Sequence, residues 1–328
     1  MSAIEVRPFR RSDRDQLTDL VNTHAGAVVP GMSLSVHAVL SQLERQPGEF
    51  ITDPWVSERA TLIAEQGGRV AAAAHLLRYF PDDRAGACYR DLGEICWFLF
   101  WPEAPAGNPY WPDAAQAADE LMAGCLRQLS RWGVTQQEAG GGLPVPGVYG
   151  VPAQWPHVSA AYERAGFAHT GHTEIVYLAR VSDLPGPATA PVAGLSVRRS
   201  AGMNGTRLSA VVGDDVIGYI EAQTSRDGER QPRHGGWADI GNLCVEPECR
   251  RRGVATWLLG QAADWLRLAG ADRILDYARL EGTDAGGLDY AGYRAFLRAA
   301  GFGELTRTRL GWTRTTQNAP AVRKEDHG

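Results

Sequence analysis

Lysine is almost absent from this sequence. Thirty-three residues are lysine or arginine, but Lys324, near the end of the sequence, is the only lysine. A Schiff-base enzyme needs a buried lysine, and a Walker-A phosphate loop or a protein kinase needs a lysine at a fixed motif position. These three classes are therefore excluded. Arginine stays protonated near neutral pH, so the cationic side chains can bind and position ligands but cannot act as general bases.

Cysteine and long apolar runs are also scarce. The five cysteines show no C-x-x-C or Cys/His ligand spacing, and the eight histidines form no H-E-x-x-H pattern, so we expect no bound metal. Scattered thiols suit a reducing compartment. The sequence has no apolar run of 18 residues and no start that resembles a signal peptide. Its net charge of -5 is opposite to that of a typical nucleic-acid binder. We expect a cytoplasmic protein, monomer or homodimer, without membrane or nucleic-acid partners.

The length predicts two domains, because 328 residues are about twice the ~150 of one typical domain. Residues 181–194, VSDLPGPATAPVAG, are rich in proline and glycine and predict a linker. We therefore predict domains over residues 1–180 and 195–315, followed by a flexible tail over residues 316–328.

The two halves resemble distant repeats. Each opens with an alternating strand, continues with a hairpin and a strand that stops at a proline, and then has a long amphipathic helix. Each closes with a short helix that runs into Gly-Phe. The first half has about 50 residues between its opening strand and its hairpin, with a helical stretch near residues 14–21. The second half lacks this early helix pair.

The strongest local signal is the segment 245–256, VEPECRRRGVAT. A strand stops at a proline, and three arginines then lead into Gly253 and a helix. A helix N-terminus has unpaired N–H groups and a positive dipole end, so it can cradle a pyrophosphate. The alternative is that the arginines are a solvated charge run at the start of an ordinary helix.

The spacing Arg250-x-x-Gly253-x-Ala255 resembles the pyrophosphate-binding motif of the GNAT superfamily of acyl-CoA-dependent N-acyltransferases. The order of elements matches that family in both halves, so the chain resembles a tandem GNAT protein. The resemblance implies an α/β (α+β) fold with two tandem domains, each a mixed twisted sheet flanked by helices, whose fourth and fifth strands splay apart. It implies acetyl-CoA as the acyl donor, with its pantetheine arm in that gap. The coenzyme-binding residues it implies are Leu243, Cys244, Val245, Arg250, Arg251, Arg252, Gly253, Val254, Ala255 and Thr256.

The first half departs from this motif. Pro105, Asn108 and Tyr110 stand where the second half has Arg250, Gly253 and Ala255. The prolines of this loop have no N–H to donate. We therefore predict that the first half does not bind coenzyme in the usual way, and that it is structural or walls the acceptor site.

An N-acyltransferase needs a base that deprotonates the amine. The resemblance places a carboxylate on the fourth strand, eleven residues before the motif arginine, and this residue is Asp239. Glu221 is the second candidate for the base, and the alternative for Asp239 is a solvent-facing strand residue.

The departing thiolate needs a proton. The family's acid is a tyrosine four residues before the closing glycine, a position that holds Tyr162 in the first half and Leu297 in the second. Tyr293 lies one helical turn before Leu297 and is our candidate acid, although it is equally an ordinary amphipathic residue and solvent can protonate the thiolate. Tyr290 stands where family members often have a coenzyme-contacting asparagine.

We therefore predict an acetyl-CoA-dependent N-acetyltransferase. Its second half transfers the acetyl group to a small amine by direct attack in a ternary complex. Four carboxylates weakly favour a cationic acceptor: Asp214, Asp215, Glu221 and Asp239. The alternatives are a catalytically weak acyl-CoA-binding sensor or scaffold, and aminoacyl or fatty-acyl transfer on a related double fold.

Overall fold

The computed structural model describes residues 3–44, 53–102, 114–186, 189–224, 236–280 and 289–315. The chain forms two compact units: unit 1 contains residues 1–173 and 308–328, and unit 2 contains residues 174–307. Each unit has a mixed sheet and flanking helices, as predicted. No described helix is both long enough and apolar enough to cross a membrane.

Unit 1 begins with a strand, a helix pair and a hairpin. Its elements are β1 (Ile4–Pro8), α1 (Arg14–Val28), α2 (Val36–Leu43), β2 (Val56–Gln66), β3 (Arg69–Tyr79), β4 (Leu92–Phe100), α3 (Ala114–Trp132), β5 (Gln136–Ala139), β6 (Val151–Pro152), α4 (Pro156–Arg164) and β7 (Ala168–His169).

Unit 2 has the same order without the early helix pair. Its elements are β8 (Thr173–Arg180), β9 (Leu195–Gly202), β10 (Gly205–Val212), β11 (Asp215–Thr224), β12 (Trp237–Val245), α5 (Val254–Leu268), β13 (Arg273–Arg279), α6 (Tyr290–Ala299) and β14 (Gly303–Arg309). A last strand, β15 (Trp312–Thr315), follows. Only residues 203–204 join β9 to β10, so the predicted absence of the helix pair is confirmed.

The sheet of unit 1 has the order β1-β2-β3-β4-β5-β15-β7. Among the described strands of this sheet, only β4 and β5 run parallel, because α3 crosses over between them. Leu121, Cys125 and Leu129 recur every four residues on α3 and are completely buried. This spacing places them on one face of the helix, which covers the sheet.

The second sheet has the order β6-β14-β8-β13-β12-β11-β10-β9, and its β6 pairs with Thr308 and Arg309 at the end of β14. The parallel pair is β12 and β13, and α5 is its crossover. Val254, Leu258, Ala262 and Leu266 form one stripe of α5 and belong to the apolar core of the unit. That stripe sets the direction of α5 and therefore the position of its N-terminus.

The domain boundaries differ from those predicted at residues 180 and 315. β8 precedes the predicted linker but pairs along its whole length with β13 of unit 2, from Arg273↔Arg180 to Arg279↔Glu174. β15 follows unit 2 but pairs with β5 and β7 of unit 1. β8 therefore belongs to unit 2 and β15 to unit 1, on the other side of the predicted boundaries. Alternation along a strand predicts its faces but not its partner, which explains the difference.

The predicted linker over residues 181–194 is not free at its start, which corrects that prediction. Val181 and Leu184 are buried in the core of unit 2. The Arg267 guanidinium of α5 donates to both of their carbonyl oxygens, at 3.0 and 3.1 Å. Two buried apolar residues are too few to show a helical or strand period in the sequence. The composition of the segment therefore indicated a linker. The predicted tail over 316–328 lies outside the described residues.

Candidate functional site

A gap opens between β12 and β13. The two strands pair only at Trp237↔Arg273, Ala238↔Ile274 and Asp239↔Leu275. Within the described residues no further pair joins them, although both strands continue. The register of β12 with β11 shifts at Gly241, which marks a β-bulge. A bulge bends its strand and therefore turns the end of β12 away from β13.

The free edge of β12 comprises residues 243–245. Its other edge pairs with β11 through Leu243↔Ile220, Cys244↔Tyr219 and Val245↔Gly218. All three residues of this segment are half-buried. Backbone amides that face the gap have no strand partner there, so they can bind an extended ligand as an added strand would. The Val245 carbonyl already accepts from Nε of Arg250, at 3.0 Å.

The loop after β12 ends in an open helix N-terminus. Gly253 is the N-cap of α5 with φ +82°, a left-handed conformation, and no side chain caps the helix. Arg251 is also left-handed, with φ +58°. In contrast, Ser35 caps α2 and Asp289 caps α6 through their side-chain oxygens. The first N–H groups of α5 therefore remain available to an external acceptor.

The side chains around this N-terminus are cationic and accessible. Arg250, Arg251, Arg252 and Thr256 are exposed, and Val254 is buried as the first core anchor of α5. Neither Arg251 nor Arg252 forms an ion pair with any residue that the structure describes. The loop thus places two guanidinium groups without a described ion pair next to the positive end of the α5 dipole. This arrangement is suited to bind a di-anion such as a pyrophosphate.

Asp239 is the last residue of β12 that pairs with β13. Its Oδ1 accepts a hydrogen bond from the Tyr277 hydroxyl, at 2.5 Å. Burial raises the pKa of Asp239, and the Tyr277 hydrogen bond partly opposes this effect. The carboxyl group therefore lies at the mouth of the gap with a pKa nearer to that of a useful general base.

Tyr293 does not stand alone on α6. Its hydroxyl donates to Oδ2 of Asp276, at 2.6 Å. Burial first, and then the Asp276 charge and hydrogen bond, raise the pKa of Tyr293 well above its usual value. Asp276 is only 3% exposed, and our sequence analysis missed it. The available signal was a carboxylate inside the apolar strand pattern RILDYAR of β13.

Glu221 is unsuited to the role of base. Burial opposes its charge, but Arg207 and the N–H groups of Asn204 and Met203 together lower its pKa. The Arg207 guanidinium lies 2.6 Å from its Oε1. Since Glu221 is 1% exposed and fully paired, it stabilises the hairpin of unit 2.

The remaining carboxylates of the predicted cationic site are far from Asp239. Asp214 and Asp215 lie at the turn where β11 begins, whereas Gln223 near its end is the partner of Asp239. The eight residues between positions 215 and 223 span about 27 Å of strand. Of the four predicted carboxylates, only Asp239 therefore faces the gap.

Leu297 and Tyr290 have different environments on α6. Leu297 is completely buried in the apolar core of unit 2, whereas Tyr290 is half-buried at the first position of the helix. A leucine side chain has no proton to donate. Among the described residues of this helix, Tyr293 is the only tyrosine whose hydroxyl forms a hydrogen bond inside the unit.

In unit 1 the corresponding strands are joined over a longer stretch. Gly140 donates to the carbonyl of Ile95 and Gly142 donates to that of Cys96, at 2.9 and 3.0 Å. The glycine-rich segment thus extends the pairing of β4 from Ile95 to Cys96. The hydroxyl of Tyr162 donates to the Gly140 carbonyl, at 2.7 Å, which secures this segment. Pro105, Asn108 and Tyr110 lie outside the described residues.

Comparison with solved structures identifies the fold as that of a tandem GNAT protein. A tandem GNAT protein from the clavulanic acid biosynthesis pathway matches over 95% of this chain and 98% of its own, with TM-score 0.60 and 16% identity. A GCN5-related N-acetyltransferase from Sphaerobacter thermophilus matches over 95% of both chains, with TM-score 0.57 and 14% identity. A GCN5-related glucosamine N-acetyltransferase region of a fungal multi-domain GH3 β-N-acetylglucosaminidase has TM-score 0.59 and 13% identity. That match covers 95% of this chain and 38% of the fungal one.

The family model of the acetyltransferase (GNAT) family matches residues 184–286. No curated protein sequence matched the chain. The matched residues include the free edge of β12, the arginine loop and α5. The resemblance to the GNAT family is therefore confirmed, and the chain has a tandem GNAT fold.

Proposed function

We propose that the protein is an acetyl-CoA-dependent N-acetyltransferase whose unit 2 carries the reaction. One observation carries the proposal above the others: the free edge of β12 leads directly into the uncapped N-terminus of α5. An extended amide chain with a pyrophosphate at one end fits these two features together, and the pantetheine and pyrophosphate of acetyl-CoA have this form.

In this proposal, the residues of the loop before α5 bind different parts of the coenzyme. The N–H groups of Gly253, Val254 and Ala255 and the hydroxyl of Thr256 face the pyrophosphate, while Arg251 and Arg252 neutralise its charge. Arg250 uses Nε for the Val245 carbonyl, which holds the loop against β12 and leaves its terminal N–H groups for a phosphate oxygen. Of the segment Leu243, Cys244 and Val245, the backbone groups that face the gap bind the pantetheine arm.

Asp239 is the general base of the proposed reaction. Its Oδ1 is held by Tyr277, which fixes the carboxylate while Oδ2 takes a proton from the ammonium form of the acceptor, directly or through water. The neutral amine then attacks the thioester carbonyl in a ternary complex. The acceptor is a small amine, and the thiolate that leaves takes a proton from Tyr293.

The test is acetyl-CoA turnover by the full chain with a panel of primary amines. CoA release should be followed by chromatography or mass spectrometry, because the exposed Cys88 would react with a thiol reagent. We expect Asp239→Asn to lower kcat by about 100-fold or more and to leave the Kd of acetyl-CoA unchanged. The matched control is Asp264→Asn, which removes an exposed carboxylate from α5. Full turnover by Asp239→Asn at every pH would remove this residue from the role.

A specific observation favours a second candidate, an acyl-CoA sensor without turnover. Leu297 occupies the family's acid position, and the Tyr293 proton is already shared with Asp276. A sensor would bind acetyl-CoA tightly and release no CoA with any amine of the panel. The same assay therefore separates the two functions.

For unit 1 we propose a structural role without coenzyme. Its support is the sequence after β4, where Pro105 and Asn108 stand in place of Arg250 and Gly253 and the prolines have no N–H to donate. A coenzyme-to-protein ratio of one in calorimetry is the expected result, and a ratio of two would contradict this role.

A further inference from the structure

Asp276 is a buried carboxyl group beside the gap. It follows Leu275, the last residue of β13 that pairs with β12, so it stands where the two strands separate. Successive side chains of a strand point to opposite faces. Asp276 and Tyr277 therefore serve different partners: Tyr277 binds Asp239, and Asp276 binds Tyr293 of α6.

The groups around Asp276 come from three elements. Tyr293 of α6 donates to its Oδ2, Asp239 of β12 contributes a like charge, and Tyr177 of β8 is its partner in strand register. Its Oδ1 accepts from the Tyr277 N–H, at 2.6 Å. No cationic side chain among the described residues pairs with this carboxyl group. Burial, with the Asp239 charge as a smaller contribution, raises the pKa of Asp276 to about 7 despite the two hydrogen bonds.

Tyr293 alone is a poor acid for the leaving thiolate. Its pKa lies well above the usual tyrosine value, while an ordinary thiol has a pKa of roughly 8.5. Transfer of the phenol proton to the thiolate is therefore unfavourable unless the phenolate is neutralised at once. Oδ2 of Asp276 lies 2.6 Å from that oxygen, so a protonated Asp276 can do this once the phenol has turned its own proton toward the thiolate.

We propose that Asp276 is a positioning residue that acts through Tyr293, holding the phenol toward the gap and replacing the proton that Tyr293 gives to the CoA thiolate. The O–H bond of Tyr293 breaks as the S–H bond forms, and the carboxyl proton of Asp276 moves to the phenol oxygen. Asp276 is left as a carboxylate and regains a proton from solvent before the next turnover. This inference rests on the proposed acetyltransferase function.

The kinetic test compares Asp276→Asn and Tyr293→Phe with the wild type, again with Asp264→Asn as the control. An asparagine can still accept from Tyr293 but cannot supply a proton. We expect kcat of Asp276→Asn to fall about 10- to 100-fold, with the KM for acetyl-CoA within twofold of the wild type. The wild-type kcat should decline above about pH 7, and this decline should disappear in both variants.

A purely structural role for Asp276 predicts another pattern. Loss of stability would lower the amount of folded enzyme without moving the pH dependence of kcat. Wild-type turnover with an unchanged pH profile in Asp276→Asn would overturn the inference and leave the proposed function intact.

A second readout does not need turnover. Aspartate labelled with ¹³C at its side-chain carboxyl reports the titration of Asp276, which the Asp276→Asn spectrum assigns. We expect a midpoint near pH 7 that moves upward in Tyr293→Phe, because the Tyr293 hydrogen bond lowers this pKa. A midpoint in the ordinary aspartate range would overturn the coupling. Absence of CoA release from the wild type would instead refute the proposed function, and with it the proton-transfer step.

Discussion

Gly253→Ala tests whether the N-terminus of α5 is a coenzyme site. Gly253 has φ +82°, and a Cβ built there lies 3.3 Å from Cβ of Pro191. The left-handed conformation costs a non-glycine residue about 1–2 kcal/mol. The tight approach to Pro191 adds to this cost, so we expect the free energy of unfolding to fall by about 1–2 kcal/mol or slightly more.

The effect on binding is larger than this strain. The strain at Gly253 and the contact with Pro191 would displace the first N–H groups of α5, which the proposal assigns to the pyrophosphate. Loss of one hydrogen bond to a charged group costs about 1.5–3 kcal/mol, which corresponds to a roughly 10- to 100-fold weaker Kd. Calorimetry with CoA and urea unfolding measure the two effects separately.

Gly270→Ala is the matched control. Gly270 follows the other end of α5, has φ +78°, and has nothing within 4 Å of a built Cβ. It should lose similar stability and keep the wild-type affinity for CoA. If Gly253→Ala also keeps that affinity, the reasoning about the open N-terminus is refuted.

Three further predictions concern the buried groups. The pKa of Asp276 is about 7 in the folded chain against 3.8 ordinarily, so this group binds more protons in the folded state than in the unfolded state. The folded protein is therefore destabilised as the pH rises. Asp276→Asn should therefore gain about 2–3 kcal/mol relative to wild type between pH 5 and 8 in urea unfolding. Trp312→Ala empties a site with no exposure and should cost about 3–5 kcal/mol. Hydrogen exchange should show lost protection in unit 1 but not in β10 and β11. The reverse result would contradict the placement of β15 in unit 1. Gly141→Ala would place a Cβ against the Gly150 carbonyl and should cost about 1–3 kcal/mol, whereas Gly26→Ala, in open space on α1, should not destabilise.

The main elements of unit 2 were predictable from local spacing. The pattern of α5 repeats apolar residues every four positions from Val254, and the structure begins the helix there. The position of Gly253 before the helix was also predicted, since a proline stops the strand and the apolar period of α5 begins directly after this glycine. Asp276 was not predictable as a partner of Tyr293. The two residues lie 17 positions apart on different elements, and only the packing of α6 on β13 brings them together.

The sequence by itself determined the element order, the absence of early helices in unit 2 and the resemblance carried by the arginine loop. These features depend on residues close together in the chain, where periodicity and turn chemistry act directly. The tertiary structure decided which unit receives β8 and β15, and in unit 1 it extended the pairing of β4 to Cys96 through Gly140 and Gly142. It also left the gap of unit 2 open. Strand partners and gaps depend on contacts between distant segments, and a local pattern does not encode them.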